Sequence, residues 1–110
     1  MRAPVGDIMA ANGGEAATLQ LLEDCRRVAV LNQHAPSDAV LARACSVLTE
    51  KGSKLSASMM RDLEQGGQIE ADHVIGDMLA RAGEAAESLT LLRTAYAHLK
   101  AYEVRRDVRA

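Results

Sequence analysis

Apolar residues return at intervals of three and four along almost the whole chain, the spacing that gathers them on one face of a helix. Leu21, Leu22, Cys25, Val28 and Ala29 mark such a face and predict a helix from about Glu15 to Asn32, with Gly13-Gly14 as the break before it. Asn32-Gln33-His34-Ala35-Pro36 reads as a loop, and Ser37, directly after the proline, as the N-cap of the next helix. Val40, Leu41, Ala44, Val47 and Leu48 form the stripe of that second helix, which ends near Gly52. Leu55, Met59 and Leu63 recur every fourth residue, so a third helix runs from about Ser56 to Gln65 and stops at Gly66-Gly67. Glu70 opens a fourth, with Val74, Ile75, Met78, Leu79 and Ala82 inward and Gly83 at its end. Ser88 is the expected cap of a last helix with Leu92, Ala95, Tyr96 and Leu99 inward. Arg105 to Arg109 read as its frayed, solvated end, and a short helical turn fits Val5 to Ala11.

No segment alternates with the two-residue period of a half-buried strand, and there is no internal repeat. The expected fold class is all-α: a single domain over residues 1–110, built of five or six helices joined by short loops. Composition sharpens this. Hydrophobic residues make up 48% of the chain but aromatics only 2%, with no Phe and no Trp, so the core is left to Leu, Val, Ile, Met and Ala. Ala and Leu favour helix. The net charge of −2, with both signs interspersed, offers no basic field for a nucleic-acid backbone and almost no aromatic surface for stacking bases, so no nucleic-acid partner is expected.

Cys25 and Cys45 have the spacing of neither a zinc clip nor a redox CxxC pair, and read as small buried apolar residues of a reducing compartment. His34, His73 and His98 show no metal-ligand spacing, and no metal is expected. No apolar run reaches the roughly 20 residues of a membrane helix, and Met1 to Asp7 lack an apolar export signal; a cytoplasmic protein without a membrane partner is the expectation.

Two short blocks carry the candidate chemistry. Ser56-Ala57-Ser58-Met59-Met60-Arg61-Asp62 opens the third helix, and Glu70-Ala71-Asp72 follows twelve residues after Ser58 to open the fourth. Each residue has an ordinary reading. A carboxylate in a first turn complements the positive end of the helix dipole, which covers Glu70 and Asp72; a first-turn serine finds free backbone donors, which covers Ser58.

Read together, Ala57-Ser58-Met59-Met60-Arg61-Asp62 and Glu70-Ala71-Asp72-His73-Val74-Ile75-Gly76 resemble the C-terminal domain of the ketopantoate reductase (2-dehydropantoate 2-reductase) family, in order and in spacing. Val5-Gly6-Asp7-Ile8, and the helix carrying Glu23 and Val28-Ala29, extend the likeness over nearly the whole chain. The resemblance implies an NADPH-dependent oxidoreductase that reduces ketopantoate, or a related 2-oxo acid, to pantoate on the path to coenzyme A. It implies that Ser58 is substrate-binding, hydrogen-bonding the carboxylate end of the 2-oxo acid, and that Glu70 is cofactor-binding, close to NADPH and the reacting centre. Asp62 and Asp72 also match the motif and read as helix-terminal supports rather than catalysts, and Gly76 reads as a place of close helix packing.

The sequence also departs from the family pattern. Ile75 and Leu55 stand where the family often has Asn, and Ala57 replaces the first serine of a pair. These departures bear on which 2-oxo acid is the substrate. No GxGxxG turn occurs, and Lys51, Lys54 and Lys100 do not match the family's proton-donor lysine. No catalytic residue is therefore assigned to this chain. The leading expectation is the substrate-side domain of a reductase whose partner is an N-terminal Rossmann-type domain of the same enzyme, inactive on its own. The alternatives are a stand-alone interaction or dimerisation module and a small bundle with a chance motif. In the first two, an uncovered apolar face is expected, with a homodimer formed through the helix holding Met59 and Met60.

Overall fold

The computed structural model describes residues 1–109. In chain order it contains α1 (Val5–Ala10), α2 (Gly14–Leu31), α3 (Asp38–Leu48), α4 (Ser58–Glu64), a π turn (Asp72–Gly76) that runs into α5 (Asp77–Ala82), a 3-10 segment (Gly83–Ser88) and α6 (Thr90–Arg109). There is no strand among the described residues, and the fold is all-α with six α-helices, as the periodicity predicts.

The boundaries follow local chemistry. Ser37 caps α3 by accepting a hydrogen bond from the Val40 amide at 3.2 Å. α3 closes at Thr49, whose hydroxyl donates to the Cys45 carbonyl at 2.6 Å, a turn before the expected end at Gly52. α4 begins at Ser58 rather than Ser56 because the preceding strip is engaged elsewhere: the Val5 amide donates to the Leu55 carbonyl and the Gly6 amide to Ser53, each at 2.8 Å. Leu55 is therefore outside the helix and half exposed. Gly66, at φ 73°, turns the chain out of α4 in the left-handed region that costs glycine little.

Ser88 does not cap α6. Its hydroxyl donates to the Ala85 carbonyl at 2.8 Å inside the 3-10 segment, and Leu89 intervenes before Thr90. The expected fraying at the other end is also absent, since α6 stays helical through Arg109. Arg106 helps to hold it, donating from Nε to the Gly66 carbonyl at 3.1 Å.

Two hydrophobic clusters form the core. The larger joins Val28 of α2, Ala82 of α5, Leu89 and Leu92, with Leu21, Cys25, Ile75, Met78, Leu79 and Ala86 packed around them. The smaller joins Leu63 of α4 to Ile69 and Ala71, with Met59, Leu99 and Tyr102 against it. α6 passes through both clusters and so couples the two halves of the chain. Cys25 and Cys45 are both free thiols, and burial pushes the Cys25 thiol up, which keeps it protonated and unreactive.

The molecule measures 44 × 36 × 21 Å, with a radius of gyration of 14.6 Å against about 13 Å for a compact domain of this length. A thickness of 21 Å is two helix diameters. Such a thin molecule leaves some helix surface uncovered, and α3 holds no fully buried residue. Its stripe, expected to face inward, leaves Val40 58% and Val47 42% exposed.

Candidate functional site

Ser58 is the first residue of α4, and its side chain is exposed. Glu70 immediately precedes the helical run that starts at Ala71. Its carbonyl accepts the first bond of that run, from the Val74 amide at 2.9 Å, and its side chain is exposed. The smaller cluster links the two positions. Met59, next to Ser58, packs against the cluster that contains Ile69 and Ala71, the two neighbours of Glu70. Both candidate side chains therefore project from backbone anchored in one apolar patch, while they themselves face solvent. Among the described residues no ion pair engages Glu70, so its carboxylate is free to accept hydrogen bonds.

Asp72 is the most heavily engaged acidic group of these blocks. Tyr96 Oη donates to its Oδ1 at 2.6 Å and Lys100 Nζ to its Oδ2 at 2.9 Å. Lys100 also pairs with Glu103 at 2.7 Å. Lys100 first, and Tyr96 second, hold the Asp72 carboxyl below its ordinary range. The bond to Asp72 raises Tyr96, and the bonds to Asp72 and Glu103 raise Lys100. A lysine that binds its proton this firmly is a poor acid near neutral pH.

The π turn fits Asp72 and Gly76 to the same aromatic ring. A Cβ on Gly76 would lie 3.2 Å from Tyr96 Cε1 and 3.3 Å from Asp72 Oδ1, so the absence of a side chain lets the turn close on α6. This accounts for the close packing expected at Gly76; Asp72, expected as a support at a helix end, instead joins the π turn to α6 through Tyr96 and Lys100.

Sequence reasoning missed Tyr96 and Lys100. From the sequence Tyr96 reads as part of the apolar stripe of the last helix, and Lys100 as a lysine that does not match the family's proton donor. The available signal was their spacing, Tyr96-Lys100-Glu103, which lines a polar hydroxyl, a cation and an anion along one side of α6.

A cleft of about 520 Å³ lies at the other end of α4 between Arg2, Glu64, Gly66, Tyr102, Arg105 and Arg106. Neither Ser58 nor Glu70 lines it, and both stand on open surface. No group of three or more His, Cys, Asp and Glu side chains that would hold a metal ion occurs among the described residues. No helix among them is long and apolar enough to cross a membrane.

An all-α domain with paired serine and glutamate blocks at successive helix starts agrees with the family to which the sequence belongs. The chain is a member of the family described as ketopantoate reductase PanE/ApbA C terminal, which matches residues 1–103. Among curated relatives, the protein named uncharacterized oxidoreductase YkpB of Bacillus subtilis (strain 168) is 29% identical over 101 residues. That match covers 91% of this chain and 33% of the relative, so the chain spans about a third of the relative's length. No solved structure matches the chain.

Proposed function

We propose that this chain is the substrate-side helical domain of a cytoplasmic, NADPH-dependent 2-oxo acid reductase that converts ketopantoate, or a related 2-oxo acid, to pantoate for pantothenate and coenzyme A biosynthesis. The observation that carries this reading is the shared anchoring of Ser58 and Glu70. Two exposed polar side chains of different chemistry are fixed by one apolar cluster and open onto uncovered surface. Membership of the family supplies the context.

In this reading Ser58 donates its hydroxyl to the carboxylate of the 2-oxo acid. A neutral donor at the first residue of a helix suits an anionic ligand, because free backbone N–H groups lie beside it. Glu70 accepts hydrogen bonds from a hydroxyl of the substrate or of the cofactor ribose. Its free, exposed carboxylate fits a hydroxyl donor and would repel phosphate, so the phosphates of NADPH belong on the partner Rossmann-type domain. NADPH, when bound, supplies the hydride for the 2-oxo carbon. The proton for the new alkoxide comes from outside this chain, since Lys100 is committed to Asp72 and Glu103.

The test is kinetic, in the reductase that joins this domain to its dinucleotide-binding domain. Ser58→Ala should raise the KM for the 2-oxo acid by roughly tenfold, the worth of one hydrogen bond to a charged group, with NADPH affinity nearly unchanged. An unaltered KM would sink the assignment.

A second reading has its own observation. α3 buries no residue and exposes Val40 and Val47, and Val30 and Leu31 at the end of α2 are exposed as well. A helix with that surface suits an interaction or dimerisation module without catalysis. In the reductase reading the same surface receives the rest of the enzyme.

A further inference from the structure

We infer that Asp72, clasped by Tyr96 and Lys100, is the positioning residue that fixes the direction of Glu70, and that α6 therefore sets the geometry of a site to which it contributes no ligand. The inference rests on the reading of Glu70 as a hydrogen-bond acceptor for substrate or cofactor.

The backbone around Glu70 is held on both sides. Ile69 is 8% exposed and Ala71 is fully buried, so the residues flanking Glu70 are both inserted into the smaller cluster. The Glu70 carbonyl is tied forward to the Val74 amide. What remains is rotation of the first helical turn about that anchor, and Asp72 controls it. Two donors four residues apart on α6, Tyr96 Oη and Lys100 Nζ, take one carboxylate oxygen each. A carboxylate held at both oxygens fixes an orientation, where a single bond fixes only a distance.

The π turn gives this arrangement its register. It widens the helix over Asp72–Gly76, so that Asp72 and Gly76 face the Tyr96 ring together. Such turns are rare in helices and are frequent at functional sites. Lys100 is itself steadied by Glu103 at 2.7 Å, so the clasp is a chain of four side chains, three of them on α6. Glu70 has no such partner, so what its backbone sets is the point and direction from which its side chain leaves the helix start.

The experiment compares wild type, Glu70→Gln, Asp72→Asn and the double variant in the reductase that carries this domain, by steady-state kinetics with NADPH and ketopantoate. Asp72→Asn should lower kcat/KM by between about 10- and 100-fold, the scale set by a misplacement near 1 Å. In the Glu70→Gln background the same substitution should change kcat/KM by less than about twofold, because the group it positions is already lost. Tyr96→Phe, which keeps the ring and removes one bond, should show a smaller loss with the same non-additivity, and serves where Asp72→Asn does not fold.

A purely structural role would lower the melting temperature and cost the same in both backgrounds, and that result overturns the inference. A silent Asp72→Asn overturns it as well, while a defective Glu70→Gln leaves the reading of Glu70 standing. A silent Glu70→Gln removes that reading and the inference together.

Discussion

Gln33 carries the one strained backbone among the non-glycine residues described, at φ 63°. It sits just past α2, where the His34 amide donates to Ala29 at 2.8 Å and the Gln33 amide to Val30 at 3.1 Å. This is the double bond pattern that closes a helix with a left-handed residue, a place usually held by glycine. Gln33→Gly should stabilise the domain by about 1 kcal/mol, since the left-handed conformation costs a side chain that much. The check is a shifted urea midpoint at unchanged slope. The sequence marked this stretch as a loop but could not show which residue bears the turn. Asp24 was hidden for a related reason. It lies three residues after Leu21 and four before Val28, on the face read as apolar, and it is 1% exposed with Oδ2 unpartnered. Spacing marks an apolar stripe by its hydrophobic members alone, and an aspartate within it gives no sign of burial because that residue type is rarely buried.

At the scale of elements, the pairing between the π turn and α6 has a defined pH window. Asp72 titrates below its ordinary value in the folded chain, so its contribution is present above the unfolded carboxylate value, about 4, and is lost as pH falls through the lowered one. Tyr96 and Lys100 are raised, so their contributions are complete below their ordinary values, about 10, and are lost as pH rises through the raised ones. The stability difference between wild type and Asp72→Asn should thus be constant from about pH 5 to 9 and should shrink as pH falls below about 4, through the lowered value. Urea melts at pH 7 and pH 3 decide it; an equal difference at both would show that the clasp is not ionic. Helix positions were legible because Leu, Met and Ala recur at helical intervals over long stretches. The clasp was not legible, because Tyr96 reaches a carboxylate 24 residues back and periodicity speaks only within one element. The same limit applies to the candidate site. Ser58 and Glu70 were found from motif spacing, and their common anchoring through Met59, Ile69 and Ala71 appears only in three dimensions.

For the whole molecule, a plate 21 Å thick leaves apolar surface that a thicker fold would cover. The sequence led to the expectation of an exposed apolar face on the helix with Met59 and Met60. The structure packs Met59 against the smaller cluster and leaves neither methionine among the exposed large hydrophobic residues. Val40 and Val47 of α3 are exposed instead, while Leu41, Ala44 and Leu48 of the same stripe are half-buried, so the chain covers only part of the face that its amphipathic pattern marks. Isolated, the chain should self-associate through α3, and Val40→Lys with Val47→Lys should return it to monomer in sedimentation velocity. A wild-type chain that remains monomeric at high concentration would refute this.

α6 has one more consequence, which concerns time. A polypeptide leaves the ribosome N-terminus first. Ser58, Glu70 and the π turn emerge while Tyr96, Lys100 and Tyr102 are still unmade or inside the exit tunnel, and the larger cluster lacks Leu92 until then. The segment bearing the candidate residues must wait, unsupported, for the helix that orients it. Its geometry is among the last features of the nascent domain to mature, and a ribosome stalled before the Tyr96 codon would hold a chain with both motif blocks and without the α6 side chains that clasp Asp72.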